Sequence, residues 1–215
     1  MKNLAFKSAV ISVAALVATI IGYARNSIVE EIPMKQQEEI RYICADSKPE
    51  PKKDYMELPE CDTNMFTYMS YTALSKNSDQ YKYTTICGVS EEGILCYECG
   101  NKKYYAVALG SFYSSKLGDS FHVTLENGTE FDMFVCDFKN DIHTDSRNMG
   151  TYITNYDNET AMNVIEFVID KNHTSNKVLR AGTFTALEKF GGLCGDGGNI
   201  KSIEREGNLN VFQEQ

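Results

Sequence analysis

Hydrophobic and polar residues alternate over short stretches after residue 64. The apolar runs are rich in Tyr, Phe, Val, Ile and Thr, and clusters of Gly, Asn, Asp and Ser separate them. This pattern is typical of β-strands bounded by turns. It predicts strands at 80–89, 93–97, 104–109, 121–125, 130–137, 163–170, 183–187 and 199–204. Short helices are predicted at 64–75 and within 177–184.

The dipeptide Asn127-Gly128 separates the fourth and fifth predicted strands. Both central residues of a type I′ turn need positive φ, which Asn and Gly tolerate, so these two strands are predicted to form an antiparallel hairpin. Several short strands without a long amphipathic helix predict a mainly β domain, either a small closed barrel or a sandwich, because closure removes exposed sheet edges.

The first 25 residues form a separate hydrophobic segment. Lys2 and Lys7 precede the uncharged run 8–24, which is dominated by Ala, Val, Ile and Leu. Two interpretations are open: a signal peptide cleaved after Gly22-Tyr23-Ala24, or a signal anchor that stays in the membrane. We favour the anchor, a single transmembrane helix, because the run extended back through Leu4 approaches the ~20 residues that span a bilayer. The two lysines place the amino terminus in the cytoplasm, so the remainder is expected to be extracytoplasmic.

All four prolines lie between residues 33 and 59, in a stretch that is also rich in Glu, Lys and Gln. Because proline stiffens an extended chain, residues 26–60 are predicted to form a stalk between the membrane and the domain. The domain is then expected to span residues 61–215, with a barrel core at about 80–206.

Composition and charge narrow the classes of function. The chain has 215 residues, 42% of them hydrophobic and 24% charged, which excludes wholesale disorder and a polytopic membrane protein. The net charge is −9, but all 30 acidic residues follow Arg25 together with 18 of the basic ones, so residues 26–215 carry −12. Such a balance argues against nucleic acid as a partner, because phosphates are bound by Lys and Arg.

The seven cysteines all follow the hydrophobic segment, at positions 44, 61, 87, 96, 99, 136 and 194. An odd number leaves at least one thiol unpaired. The Cys96–Cys99 spacing occurs in zinc sites, and His122, Cys136 or Cys194 would have to complete the four ligands. Buried or locally bridged cysteines are the favoured interpretation, and no metal or other cofactor is predicted.

The predicted strand ending at Asp137 carries the most informative chemistry. Strict alternation places Asp137 on the same face as Phe131, Met133 and Val135, so a carboxylate ends an apolar row. Burial there raises a carboxyl pKa, as a general acid requires. Glu166 is similarly the one charge inside the apolar run 164–169. The alternatives are a strand-end carboxylate that caps backbone N–H groups and an outward-facing glutamate.

The order of several short motifs extends this interpretation. They are Tyr105 to Gly110, Leu117 to Val123, Asn127-Gly128, Val135-Cys136-Asp137 and Ile165 to Val168. Over residues 80–206 this order resembles the double-psi β-barrel of the three-aspartate and rare-lipoprotein-A-like domains. The tract from Asp137 to Asp145 also resembles a group of exported Gram-positive proteins of this barrel type. Gly110 stands where the three-aspartate pattern has its first Asp.

The resemblance implies a six-stranded barrel with a groove at one end, a scaffold that binds or cleaves peptidoglycan. In the lytic transglycosylase members a single Asp protonates the glycosidic oxygen and then takes a proton from the 6-hydroxyl of the sugar. Asp137 matches that residue by position, and Glu166 stands where the family usually has Asp. His143 is then a candidate for a proton shuttle or a substrate contact.

Two functions therefore remain open from the sequence. The first is a membrane-anchored enzyme that cleaves the glycan strands of the cell wall, with Asp137 and Glu166 as catalytic candidates. Its substrate-binding candidates are Asp141, His143, Asp145, Tyr105 and Tyr113. The second is a non-catalytic barrel that binds the cell wall or another protein. A metal site at Asp137, Asp141, His143 and Asp145 is a third interpretation, based on oxygen-rich ligands.

Overall fold

The structure is a computed structural model, and it describes residues 53–154, 160–192 and 198–212. The predicted hydrophobic segment, the stalk up to residue 52, Cys44 and Cys194 lie outside these ranges. No helix in the described ranges combines the length and the apolar character needed to cross a bilayer.

The described part of the chain is mainly β. It has two helices, α1 (Asp79–Thr84) and α2 (Asn176–Ala181). Short 3-10 turns lie at Tyr71–Ala73, Asp141–His143, Phe184–Ala186 and Glu188–Phe190. Its twelve strands are β1 (Asp54–Tyr55), β2 (Thr63–Asn64), β3 (Tyr68–Ser70), β4 (Gly88–Val89), β5 (Leu95–Cys99), β6 (Lys102–Leu109), β7 (Asp119–Leu125), β8 (Glu130–Phe138), β9 (Thr151–Thr154), β10 (Thr160–Asn163), β11 (Glu166–Ile169) and β12 (Ile200–Asn208).

Nine of these strands form one mixed sheet in the order β1-β12-β7-β8-β6-β11-β3, with β5 added to β6 and β4 added to β5. Two neighbouring pairs, β6 with β8 and β3 with β11, are parallel, and β6 and β11 run antiparallel between them. A second sheet has the order β2-β10-β9. Parallel neighbours cannot be joined by a tight hairpin and need a long connection, so strands far apart in the sequence, such as β3 and β11, are paired in this sheet.

Strand β6 is the centre of the domain. Its first half pairs with β5 and its second half pairs with β11 along one edge, while β8 pairs along the other edge. Residues 104–109 are all buried, which is why this segment is an unbroken apolar run rather than an alternating one. One face packs on a large core that includes Phe66, Phe131, Phe167, Phe184 and Phe190, and the other face packs on a smaller cluster against which Tyr83 of α1 is placed.

Two asparagines link β2 to the start of β12. The Asn64 backbone N–H donates to the Asn199 side-chain oxygen at 2.7 Å, and the Ile200 backbone N–H donates to the Asn64 side-chain oxygen at 2.9 Å. The Asn199 amide also donates to the Asp62 carbonyl at 3.1 Å. These side chains satisfy backbone groups between β2 and β12, which belong to different sheets.

Residues 53–60, which fall in the segment predicted as stalk, attach to the domain. β1 pairs with β12, and the Met56 N–H donates to the Ile203 carbonyl at 2.8 Å. Met56 and Leu58 pack against the large core. The compact unit therefore begins at Lys53.

Three predicted elements are wrong. Residues 80–84 are the main part of α1 rather than a strand, because the Ser78 side chain accepts the Tyr81 N–H and caps a helix there. Residues 64–75 contain the end of β2, then β3 and a 3-10 turn rather than a helix, because the two strands pair with β10 and β11 about a hundred residues later. Residues 183–187 form a 3-10 turn capped by Thr183. The predicted helix within 177–184 is confirmed as α2, which ends at the left-handed Gly182.

The antiparallel pairing of β7 with β8 is confirmed, but the turn between them is not type I′. Gly128 has φ of 83°, whereas the described non-glycine residues with positive φ are Asn148 and Asn210 only. The Gly128 N–H donates to the Leu125 carbonyl, and the Leu125 N–H donates to the Thr129 carbonyl. This is the three-residue loop in which a type I turn is followed by one left-handed residue.

Candidate functional site

Three neighbouring strands bring two carboxylates to the same place. Ala108 of β6 is paired with Asp137 of β8 on one side and with Glu166 of β11 on the other. The Ala108 side chain is small and buried, so it puts only a methyl group between the two acidic residues. The sheet register thus places both predicted catalytic residues in one row across β8, β6 and β11.

A β-bulge decides which face this row occupies. Val107 pairs with Val135 and Ala108 pairs with Asp137, so Cys136 is an extra residue in β8. Asp137 therefore lies on the face of Ala106, Phe134 and Cys136, the smaller cluster. The prediction that it shares a face with Phe131, Met133 and Val135 is wrong, because strict alternation does not hold across a bulge.

The environment of Asp137 favours its protonated form. Burial raises the pKa of the Asp137 carboxyl, the Phe138 backbone N–H lowers it, and the charge of Glu166 raises it again. The net direction is upward from the ordinary value of 3.8. A raised pKa is the direction of shift that a carboxyl needs in order to act as a general acid.

Lys139 is the buried cation of this site. Only 4% of its side chain is exposed, and its Nζ lies 3.5 Å from Glu166 Oε2. The side-chain amide of Asn163, oriented with its oxygen toward Lys139, accepts a hydrogen bond from Nζ at 2.8 Å. Burial lowers the pKa of Lys139, and the Glu166 charge opposes that effect.

Asp145 organises the loop that follows β8. Its Oδ1 accepts the Met149 and Gly150 N–H groups at 2.6 and 3.0 Å, and its Oδ2 accepts the Arg147 N–H at 3.1 Å. Burial alone would raise the pKa of Asp145, but these backbone hydrogen bonds outweigh it and the pKa is lowered. The carboxylate therefore holds the loop in shape.

The other polar residues predicted for substrate binding are placed differently. Asp141 is exposed and its Oδ1 accepts the Ser111 hydroxyl at 2.9 Å, and His143 is exposed in the same 3-10 turn. Tyr105 and Tyr113 are both buried in the large core, with 5% and 0% of their surface exposed. The Tyr105 hydroxyl accepts a hydrogen bond from Lys189 at 2.8 Å, and the Tyr113 hydroxyl donates to the Glu57 carbonyl.

Gly110, directly after β6, lies against the backbone of the loop that follows β8. A Cβ atom at this position would lie 2.0 Å from the Asn148 carbonyl oxygen and 2.9 Å from its carbonyl carbon. Because both are backbone atoms, no side chain fits without moving the loop.

A cavity of about 650 Å³ opens at the same end of β8. Three aromatic rings line it, those of Tyr83, Phe138 and Phe212, together with the lysines Lys82 and Lys116. Phe138 follows Asp137 directly in the chain. The volume is in the range of small-molecule sites, and the rings offer apolar surfaces beside Lys116 and an ion pair in which Lys82 lies 2.7 Å from Asp79, which also lines the cavity.

A different group of residues has metal-ligating geometry. Ligand atoms of His122, Asp132 and Glu206 all lie within 4.8 Å of one another, and among the described residues this is the one such group. His122 Nδ1 is hydrogen-bonded to Asp132 Oδ1 at 2.7 Å. Lys102 pairs with Asp132 at 3.5 Å and with Glu206, so a protein cation already balances these carboxylates. The loop set around His143 forms no such group within the described ranges.

The cysteines do not converge on a zinc site in the described residues. Cys96 lies in the large core, Cys136 lies in the smaller cluster on the opposite face, and Cys99 is exposed at the end of β5. The main sheet therefore lies between Cys96 and Cys136, two of the ligands considered for a zinc site.

Sequence reasoning missed Lys139 as a member of the site. The one available signal was a lysine within two residues of the strand-end Asp137, in a segment otherwise predicted to be a loop. A scan against protein-family models returns no match, and neither a curated protein nor a solved structure matches the chain.

Proposed function

We propose that this protein is a membrane-anchored, extracytoplasmic barrel that cleaves the glycan strands of peptidoglycan, with Asp137 as a single acid/base. The observation that carries the proposal is the row Asp137, Ala108, Glu166, in which burial and a neighbouring negative charge raise the pKa of the Asp137 carboxyl. Proton donation to a sugar oxygen needs such a group.

The barrel of this proposal is of the double-psi type. Two parallel pairs, β6 with β8 and β3 with β11, flank one antiparallel pair, an arrangement that supports two interlocking halves related by approximate two-fold symmetry. The Asn64 and Asn199 hydrogen bonds support closure between β12 and the β2–β3 segment. The six-stranded core and its mouth at the end of β8 are parts of the same proposal.

The proposed reaction needs no second carboxylate to activate water, because a hydroxyl of the sugar itself is the attacking group. Protonated Asp137 donates its proton to the glycosidic oxygen as the bond from that oxygen to C1 breaks. The 6-hydroxyl of the same sugar then attacks C1, and the Asp137 carboxylate takes the hydroxyl proton. The product is a 1,6-anhydro sugar, and Asp137 ends the cycle protonated, as it began.

Glu166 and Lys139 act on Asp137 rather than on the sugar. The charge of Glu166 raises the pKa of Asp137, and the Lys139 ammonium fixes the position of Glu166. Asn163 in turn holds Lys139. The aromatic rings of the cavity beside Phe138 provide surfaces on which sugar rings stack, as aromatic side chains commonly do.

The test is digestion of purified peptidoglycan by the full chain in detergent, with soluble products identified by mass spectrometry. We expect 1,6-anhydro-muropeptides from the native protein and at least a hundredfold less from Asp137→Asn, the effect typical of losing a general acid. Asp54→Asn, which changes an exposed carboxylate on β1, is the matched control and should digest normally.

Absence of anhydro products from the native protein would overturn the proposed reaction. If the same protein nevertheless sediments with insoluble peptidoglycan, the domain is a non-catalytic wall-binding module. If the products carry a reducing end instead, water is the attacking group and the single-carboxylate mechanism is wrong.

A further inference from the structure

Two thiols lie together beneath α1. Cys136 is fully buried in the smaller cluster, and Cys87 packs against that same cluster from the chain segment after α1. Cys96, the other buried thiol near Cys87 in sequence, belongs to the large core on the opposite face of the sheet. The smaller cluster thus brings Cys87 together with Cys136, while Cys96, whose charge also raises the pKa of Cys87, points into the other core.

Both thiols contact the same helix. Cys87 Sγ donates to the Tyr83 carbonyl at 3.2 Å, and Cys136 Sγ donates to the Gln80 carbonyl at 3.7 Å. Carbonyls three residues apart are separated by about 4.5 Å along a helix axis. The two sulfur atoms therefore lie against adjacent positions on one short length of α1.

We propose that Cys87 and Cys136 form a disulfide that fastens the end of α1 to β8. Both S–H bonds break and one S–S bond forms, while a small-molecule or protein disulfide accepts two electrons and two protons and becomes two thiols. The bond requires Cβ atoms about 3.5–4.5 Å apart.

The bond forms during folding rather than in the folded domain. Burial raises the pKa of Cys87 to about 12 and raises the pKa of Cys136 as well, with the charge of Cys87 adding to the latter. The thiolate is the attacking species, so both native thiols react slowly once α1 covers them. A bond made earlier fixes Tyr83, which lines the cavity, relative to β8, which carries Asp137.

The test is refolding of the full chain with a mixture of oxidised and reduced glutathione, followed by blocking of free thiols and digestion without reductant. Trypsin combined with a glutamyl endopeptidase separates Cys87 (residues 83–92, or 83–91 where Glu91 is also cut) from Cys96 (93–98) and releases Cys136 on 131–139. We expect the 83–92 and 131–139 peptides to be joined, with a mass about 2 Da below their sum because two hydrogens leave as the S–S bond forms. Reductant should lower the melting temperature by about 4–16 °C.

The control is the exposed Cys99→Ser, which should keep both the joined peptide and the response to reductant. Cys136→Ser should lose both. The proposal is overturned if the refolded native chain carries blocking groups on Cys87 and Cys136, or if Cys87 is joined to Cys96 instead. Because the peptides come from the native chain, this result does not depend on whether a variant folds, nor on whether peptidoglycan is the substrate.

Discussion

Replacing Asp137 with Asn should stabilise the folded domain at neutral pH. Two unfavourable effects act on the native carboxylate: its charge is partly removed from water, and it lies near the charge of Glu166. Asn is nearly the same size, carries no charge and keeps an oxygen that accepts the Phe138 N–H. The substitution therefore removes both costs and leaves the local hydrogen bond.

The gain should be about 0.5–2 kcal/mol in the free energy of unfolding, the usual size of a stabilising change at a site shaped by function. For a domain of this size, each kcal/mol moves the melting temperature by about 2–4 °C. Thermal unfolding of the full chain in detergent, followed by circular dichroism, measures this difference.

The stability difference between Asp137→Asn and the native protein should increase with pH. The folded-state pKa of Asp137 is raised above the unfolded value of 3.8, so the native protein loses stability relative to the Asp137→Asn variant as pH rises through that window. The gain from Asp137→Asn should grow as pH rises above 3.8, should be present at pH 7 and should vanish well below pH 3.8, where both states hold the proton. A loss of stability at pH 7, or a gain of equal size at both pH values, would refute the reasoning.

Two further predictions concern other charged groups. Glu166→Gln should lower the free energy of unfolding by about 2–4 kcal/mol, and by more than Lys139→Met does. The reason is that Glu166→Gln leaves the Lys139 charge unpaired on a side chain that is only 4% exposed, whereas Lys139→Met leaves Glu166, which is 27% exposed to water. Equal losses for the two variants in urea unfolding would contradict this. Lys189 Nζ lies 2.6 Å from Glu92 Oε1. Hydrogen bonding to Lys189 outweighs burial and lowers the pKa of Glu92 to about 2. The stability from this pair is therefore present above pH 4.5 and is lost as pH falls toward 2. Glu92→Gln should therefore cost about 1–3 kcal/mol at pH 7 and close to nothing at pH 2; a cost independent of pH would exclude the pair as its source.

The sequence was informative where structure is local. The central strands β6, β7 and β8 were predictable because each is a continuous apolar or alternating run, and Asp137 and Glu166 stood out as charges at the end of or inside such runs. The hairpin followed from one dipeptide, although the turn uses three residues because only Gly128 takes positive φ.

The remaining features depend on contacts between distant segments. The β2–β3 region looked helical, and it is extended because β10 and β11 pair with it. The face of Asp137 depends on a bulge opposite Ala108, which no alternation pattern reveals. Lys139 is buried only because Glu166 and Asn163, from another part of the chain, supply its partners.

Titration of the Asp137 carboxyl by carbon-13 NMR tests the central claim most directly, because the proposed acid must hold its proton above the pH at which ordinary aspartates lose it. The signal is assigned in aspartate-labelled full chain by its disappearance in Asp137→Asn. We predict a midpoint above 3.8 that falls in Glu166→Gln, alongside an Asp145 midpoint below 3.8. An Asp137 midpoint at or below 3.8, unchanged by Glu166→Gln, would contradict the account.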